Sequence, residues 1–206
     1  MTTSSAGENR PLGIGLLLIA MFTMTAMDAA VKWAVGDYSL QQVNFIRSVA
    51  AMIVLSPVVW NEGGLKAFRV NKPSVHVWRT ILILIISYTW FFALGRMKLA
   101  DIGAIVMISP LLITSLSALL LKEHVGTRRW IAVGVGFVGM LIIVRPGTGV
   151  FNPVALLAVT VALGYALFVL SNRANRDSET LTALTYYPLF GIFIVSGLLS
   201  PLDWTA

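Results

Sequence analysis

The sequence contains no cysteine among its 206 residues, and charged residues are scarce at 12%. The absence of cysteine excludes a disulfide framework, a thiolate metal site and a cysteine nucleophile. Soluble domains carry about 25% charged residues, roughly twice the fraction found here. Since 57% of the chain is hydrophobic and its mean hydropathy is +0.84, the composition predicts a polytopic membrane protein.

Acidic residues are also few, and the formal net charge is +6. A basic chain of this kind invites a nucleic-acid interpretation. The basic residues, however, lie between apolar runs and form no continuous patch, so we expect no nucleic-acid partner. Positive loops on one side of a membrane explain the same charge. The two histidines, His76 and His124, are far apart in sequence, so no metal site is expected.

Seven apolar stretches reach or approach the roughly 17–25 residues needed to cross the hydrocarbon core. The predicted spans are 11–32, 40–60, 77–96, 100–121, 130–144, 153–172 and 181–200. Helices are expected, because backbone groups in lipid must be satisfied within the segment and the runs are too long and too uniformly apolar for barrel strands. The fold class predicted is therefore an all-α integral membrane helix bundle.

The distribution of basic residues predicts the orientation of these spans. A cytoplasmic N-terminus puts ten of the fifteen cations inside: Arg10, Lys66, Arg69, Lys72, Arg79, Lys122, Arg128, Arg129, Arg173 and Arg176. Four lie outside or at the outer edge: Lys32, Arg96, Lys98 and Arg145. Because cytoplasmic loops carry the excess of Lys and Arg, a multi-pass protein with its N-terminus in the cytoplasm is expected.

A weak internal echo suggests a repeat. Pro11 and Pro153 match at an offset of 142, and "LSP" occurs at 55–57 and again at 199–201, an offset of 144. The chain would then consist of a tail and five-helix unit (1–149) and the start of a second unit (150–206). Five spans is an odd number, so the second unit enters from the opposite face as an inverted repeat. Two of its spans would be present and three would be missing.

Several motifs in the central region are typical of a known family. They are an "ALxxxxLAD" junction between spans three and four, "SPLL" in span four, "LLLKEHVGTRRW" with Glu123, a glycine-rich fifth span ending in "RPG", and Arg47 in "NFIRSVAA". Together they resemble the drug/metabolite transporter superfamily, EamA type, over about residues 10–200. The resemblance implies ten helices in two inverted five-helix repeats around a central cavity. It also implies movement of small metabolites, often export, without a bound cofactor.

The sequence departs from this family in two respects. It has seven spans instead of ten, and Phe22–Thr23 stands where many relatives carry a tryptophan–glycine or tryptophan–alanine pair. The segment "GVGFVG" (134–139) formally matches a dinucleotide fingerprint. It lies inside an apolar helix, and no acidic residue follows about 20 positions later, so no cofactor is expected. Close helix packing is the better account of these glycines.

Arg47 lies well inside the second span, where a charge is costly. At 1.5 Å per residue it sits about 10 Å below the outer surface. Asp28 in span one, about 6 Å below Lys32, lies at nearly the same depth, and we expect the two charges to pair across the spans. The pair would either lock the helices or take part in substrate binding or proton coupling; snorkelling of Arg47 and an Asp28–Lys32 pair are alternatives. Asn44 in span two is a further candidate.

Span four contains "MISPLLITS", in which Pro110 predicts a kink that leaves the carbonyl of Val106 without its usual partner. Freed backbone groups of this kind can bind substrate or form a hinge in a transporter. Ser109 and Thr114 would contact cargo or bond between helices instead.

The aromatic candidates are Tyr88 and Trp90 in "SYTWFF", Tyr165 in span six and Tyr186 in span seven. For Trp90 an interfacial aromatic belt competes with stacking on a planar substrate. Tyr165 lies deeper than a belt requires.

The function predicted is secondary transport of a small metabolite through a central cavity by alternating access. Export or exchange of an amino acid, nucleoside or similar compound in the inner membrane is expected. No paired intramembrane aspartates, serine–histidine arrangement or metal cluster is present in the sequence, so we expect no enzyme and no catalytic residues. The alternatives are a non-transporting membrane subunit and a seven-helix receptor-like protein. The expected partners are the metabolite and the lipid bilayer, with a homodimer left open.

Overall fold

The computed structural model describes residues 10–144 and 154–204, and their regular secondary structure is entirely helical. The long helices are α1 (Arg10–Ala34), α2 (Leu40–Asn61), α3 (Pro73–Leu94), α4 (Leu99–Val106), α5 (Ser109–Leu120), α6 (Thr127–Val144), α7 (Ala155–Asn175) and α8 (Leu181–Leu199). Short 3₁₀ helices occupy Gly64–Phe68 and Ser200–Leu202. The prediction of an all-helical polytopic membrane protein is confirmed.

Helix starts follow local sequence signals. Ser39 caps α2 by accepting a hydrogen bond from the backbone N–H of Gln42, and Thr180 caps α8 by accepting one from Ala183. Such caps satisfy N–H groups that have no partner within the helix. Pro73 occupies the first turn of α3, where its missing N–H costs nothing.

Six helices of the described residues are long and apolar enough to cross a membrane. They correspond to the predicted spans 11–32, 40–60, 77–96, 100–121, 153–172 and 181–200, with ends that differ by a few residues. The remaining predicted span, 130–144, is helical within α6. Its C-terminal end adjoins residues 145–153, which lie outside the described residues, as do Arg145, the "RPG" motif and Pro153 of the internal echo.

The predicted kink in span four is confirmed as a complete interruption between α4 and α5. The break falls at Met107 and Ile108, just before Pro110. Because Pro110 has no N–H to offer the carbonyl of Val106, the hydroxyl of Ser109 donates to that oxygen instead, at 2.7 Å. A Ser–Pro pair in α2 repeats the arrangement, since Ser56 donates to the carbonyl of Ile53 four residues before Pro57.

Tertiary packing joins the first helices to the last two. Helix α2 packs along α8, α3 packs against both α7 and α8, and α4 and α5 pack against α7. Two glycines allow these close approaches. A Cβ atom at Gly191 in α8 would lie 2.1 Å from Cγ2 of Thr80 in α3, and one at Gly164 in α7 would lie 2.7 Å from Cγ1 of Ile86.

Gly191→Ala is expected to destabilise the α3–α8 contact by about 1–3 kcal/mol, because Thr80 is β-branched and stiff in a helix and cannot easily move aside. The measurement is equilibrium unfolding in detergent. Gly134→Ala is the matched control, since a Cβ there meets nothing within 4 Å and alanine is the better helix former. Adding Thr80→Ala to Gly191→Ala should restore most of the loss; no recovery would contradict the clash.

Much of the outer surface is apolar. Large hydrophobic side chains are exposed along α1 (including Leu18 and Phe22), along α2 (including Ile53 and Val54) and along α6 (including Val135 and Ile142). A soluble protein rarely exposes contiguous apolar surface of this extent. Such a surface is suited to contact with the hydrocarbon core of a membrane.

Candidate functional site

The two predicted intramembrane charges lie in one neighbourhood, between α1, α2 and α3. Asp28 interacts electrostatically with Arg47, and the indole of Trp90 donates a hydrogen bond to the Asp28 carboxylate. The guanidinium of Arg47 also stands over the ring of Phe91, 5.2 Å from its centroid. Phe91 is fully buried. The three helices therefore hold one negative and one positive side chain beside two aromatic rings.

Lys32, the alternative partner considered for Asp28, is engaged elsewhere. Its ammonium donates to the backbone carbonyls of Leu94 at 2.7 Å and Met97 at 2.6 Å. Leu94 is the last residue of α3 and Met97 lies in the turn that follows it. C=O groups at such a helix end lack partners, and a cation there is favourable. These bonds join α1 to α3 at the end of the bundle near residue 40. Asp28 therefore interacts with Trp90 and Arg47 and not with Lys32.

About one helical turn before Arg47 in α2, a buried polar contact links α2 to α3. The hydroxyl of Ser87 donates to Oδ1 of Asn44 at 2.7 Å, and both residues are buried. The amide nitrogen of Asn44 and the hydroxyl of the adjacent Tyr88 are also buried, and neither atom has a hydrogen-bond partner among the described residues. Unpaired buried donors of this kind cost about 1–3 kcal/mol and are uncommon. They are groups that a polar ligand can satisfy.

Two open clefts lie at this end of the bundle. One of about 430 Å³ runs between α1 and α2 and is lined by Met27, Ala30, Val31, Ala34, Tyr38, Gln42, Val43, Ile46, Arg47 and Ala50. The other, of about 580 Å³, is more polar and includes Tyr38, Ser39, Gln41, Arg96 and Asp203 in its lining. Both volumes are in the range of small-molecule sites, about 300–1,000 Å³.

The remaining predicted candidates lie elsewhere. Ser109 and Thr114 bond to backbone carbonyls of their own helical segment around Pro110. Tyr165 is 43% exposed on α7. Tyr186 is buried and donates to the carbonyl of Met52 at 2.6 Å, which joins α8 to α2. Of the ten candidates, the structure thus gathers Asp28, Arg47, Trp90, Asn44 and Tyr88 on three neighbouring helices.

At the opposite end, two connectors meet through polar contacts. We define the polar lock as Glu62, Asn71, His76, Ser178, Glu179, Thr180 and Thr182. Glu179 accepts hydrogen bonds from the backbone N–H groups of Lys72 at 2.7 Å and Asn71 at 3.1 Å, and its Oε2 lies 3.2 Å from Nε2 of His76. Glu62 accepts from both the N–H and the hydroxyl of Thr182, at 2.9 and 2.6 Å.

Two expectations from the sequence are wrong at this end. His76, which the sequence places alone in a loop, lies in the first turn of α3, where it is buried against Glu179. Arg79, counted among the loop cations, is 1% exposed inside α3, and nine inside cations then remain. Its guanidinium donates to the carbonyls of Phe168 and Leu184 and stands 4.1 Å from the Phe168 ring centroid. Sequence reasoning missed both because their partners are about 90 or more residues away.

Glu179→Gln is expected to destabilise the chain by about 1–3 kcal/mol at neutral pH, because it removes charge-assisted hydrogen bonds from a buried site. Burial alone would raise the pKa of Glu179, but the bonds from His76 and from the N–H groups of Asn71 and Lys72 outweigh it and hold the pKa below its ordinary value of 4.5. A depressed carboxyl pKa stabilises the fold above the ordinary value, and this contribution is lost as pH falls through the folded-state pKa.

The difference in unfolding midpoint between parent and Glu179→Gln, measured in detergent from pH 7 downward, should therefore stay constant to about pH 5 and shrink below it. A difference that persists unchanged down to the lowest pH at which the protein folds would contradict this account.

Apolar helices of membrane-crossing length define a polytopic helical membrane protein. Residues 11–145 match the EamA-like transporter family; since this is well over half of the chain, the chain belongs to that family. The expected resemblance is thereby confirmed. Membership of a transporter family also agrees with the expectation that the chain is not an enzyme.

The chain is similar to characterised bacterial proteins of different cargo. It is 26% identical over 184 residues to an S-adenosylmethionine uptake transporter of Rickettsia felis, covering 89% of this chain and 62% of that protein. It is 29% identical over 201 residues to a riboflavin transporter of Vibrio cholerae, covering 96% and 67%. A pseudopaline exporter of Pseudomonas aeruginosa is 26% identical over 198 residues, covering 94% and 66%.

The chain thus spans a little over three fifths of the length of the S-adenosylmethionine transporter that it matches. No solved structure matches it significantly.

Proposed function

We propose that the chain serves secondary transport of a small organic metabolite by alternating access, with Asp28, Arg47, Asn44, Tyr88 and Trp90 forming the binding or coupling site. The observation that carries the proposal is the Asp28–Arg47 neighbourhood. Charges inside membrane helices are expensive, face the bundle interior and mark substrate or ion pathways. Here Arg47 lines a cleft of about 430 Å³, and α2 and α3 also carry buried donors, on Asn44 and Tyr88, that have no partner among the described residues.

The helix pairing supports two inverted units, 1–149 and 150–206. If the second unit repeats the first, α7 and α8 correspond to α1 and α2. A two-fold axis in the membrane plane places equivalent helices of the two units against each other. The packing of α2 along α8 fits that relation. Inverted units of this kind allow one to rock against the other.

We further propose insertion in the inner membrane with the N-terminus in the cytoplasm. The nine remaining inside cations, against four outside or at the outer edge, support this orientation. It places the 62–72 and 176–180 connectors inside and the clefts near Arg47 outside.

The substrate class proposed is a polar metabolite that presents both a cationic and an anionic or hydrogen-bonding group. Asp28 and Arg47 offer complementary charges, and Trp90 offers a stacking and cation–π face. The names of the relatives cover S-adenosylmethionine, riboflavin and pseudopaline, and both uptake and export.

The test is transport by the whole gene product in liposomes. Radiolabelled S-adenosylmethionine, riboflavin and a panel of amino acids and nucleosides are offered in both directions, against empty liposomes. We expect saturable, specific movement of one compound class, with competition by unlabelled substrate. A correctly folded protein that moves none of these and binds none of them would instead favour a non-transporting membrane subunit.

A further inference from the structure

The two ends of the bundle are built differently. The end near residues 35–42 and 95–96 carries the two larger clefts, of about 430 and 580 Å³, whereas two smaller ones, of about 240 and 170 Å³, lie between α2 and α8 toward the other end. At the other end the 62–72 and 176–180 connectors are tied together by the polar lock. Beyond the two carboxylates, the Asn71 side chain donates to the carbonyl of Ser178, and the Thr180 hydroxyl donates to the carbonyl of Ala67. Each contact joins a residue of the proposed first unit to one of the proposed second unit.

The centre of the polar lock is withdrawn from water, whereas Glu62 and Asn71 at its edge are exposed. Glu179 is 6% and Thr182 2% exposed, and His76 is 4% exposed. Exchanging such hydrogen bonds for bonds to water has a modest net cost in free energy, because the freed groups regain hydration. Opening an apolar interface of the same area would instead cost free energy in proportion to the apolar surface that it exposes to water. A polar closure is therefore one that can open at moderate cost.

We propose that the polar lock is the closed gate of one side of the transport path, and that its release opens that side while the clefts around Arg47 close. This rests on the proposed transport function, since a gate is required only where the two units rock against each other. The carboxylates of Glu62 and Glu179 are the elements that hold it shut. Both come from connectors, and both accept bonds from backbone N–H groups of the opposite unit.

The test measures how fast a thiol reagent labels single introduced cysteines. The sequence has no native cysteine that would add background labelling. Ala183→Cys and Ala67→Cys report on the locked end, because both positions are at most 2% exposed there. Val43→Cys reports on the cleft beside Arg47. Each reporter is combined with Glu62→Gln and Glu179→Gln together. The whole protein in liposomes or nanodiscs is then treated with a membrane-impermeant maleimide.

We expect labelling at positions 183 and 67 to accelerate at least tenfold, and labelling at position 43 to slow several-fold. Glu123→Gln is the matched control, because Glu123 forms a 3.8 Å ion pair with Arg173 at the same end but is half-exposed, and it should change neither rate. Acceleration at positions 183 and 67 without slowing at position 43 would indicate local loosening and overturn the gate. Unchanged rates everywhere would overturn it as well.

The outcome is distinct from that of the transport assay. Reciprocal changes in labelling without movement of any compound tested would uphold the gate and leave the cargo unidentified. Transport by the parent protein with no reciprocal change in labelling would support the proposed transport function and contradict the proposed gate.

Discussion

Arg79→Ala should lower the free energy of unfolding by about 3 kcal/mol, measured by equilibrium unfolding in detergent. Arg79 is buried in α3 and donates to Leu184 of α8 at 2.8 Å and Phe168 of α7 at 3.2 Å. Alanine leaves a cavity and two carbonyls without these bonds. Relief from burying a charge offsets part of the loss. Arg79→Met, which retains most of the volume, should cost clearly less than alanine.

The bond to Leu184 has a specific origin in the sequence. Pro188 lies four residues later in α8 and has no N–H, so it cannot bond to the Leu184 carbonyl. The other two spans that contain a proline at such a position, α2 and the α4–α5 span, have a serine before it for this purpose, whereas α8 has Tyr187 before its proline. An arginine from a different helix supplies the missing donor instead.

This origin can be tested by combining Arg79→Met with Pro188→Ala. Alanine at 188 restores an N–H for the Leu184 carbonyl, so it should stabilise the Arg79→Met protein by about 1 kcal/mol more than it stabilises the parent. The double-mutant cycle isolates this coupling. Additive effects of the two substitutions would show that Arg79 does not replace the bond that the proline removes.

Arg47→Ala should reduce transport at least tenfold while leaving membrane insertion intact. The charge lies beside the cleft between α1 and α2 and faces Asp28, so its loss removes a substrate or coupling contact and leaves Asp28 uncompensated. Arg128→Ala, at an exposed position at the start of α6, is the control and should transport normally. Initial rates in liposomes, corrected for the amount of reconstituted protein, provide the measurement.

A double neutral variant separates the two roles considered for the charge pair. Asp28→Asn with Arg47→Gln removes both charges, so neither is left unpaired. If the pair only locks the helices, this variant should recover folding stability and transport together, as replaced buried ion pairs often do. If the pair binds or couples substrate, stability recovers and transport does not. We expect the second result.

The positions of the helices and the fold class of the protein followed directly from the sequence. Runs of apolar residues such as 40–60 and 181–200 have few alternatives in lipid, because only a helix satisfies its own backbone there. The break before Pro110 was equally local, since the missing N–H and the neighbouring Ser109 lie in adjacent residues. The depth argument, which rests on the fixed rise per residue of a helix, placed Asp28 near Arg47, and the two side chains interact electrostatically between α1 and α2.

The polar lock and the role of Arg79 could not be predicted in the same way. Glu179 resembles an ordinary loop carboxylate, and His76 an isolated loop histidine, until the connectors at 62–72 and 176–180 are placed side by side. Sequence spacing does not encode which helices become neighbours. Lys32 illustrates the same point, because its i, i+4 spacing to Asp28 favours a pair, whereas the end of α3 supplies two carbonyl acceptors instead.

The sequence by itself determined that this chain is a bundle of membrane-crossing helices, because apolar length and proline placement act within one segment, and its motifs carried the resemblance to the EamA type. Only the tertiary structure decided which polar groups meet: Trp90 with Asp28, Ser87 with Asn44, and Glu179 with His76. Such contacts depend on helix packing between distant segments, and packing is set by shape complementarity, such as that of Gly191 against Thr80, that no local pattern reveals.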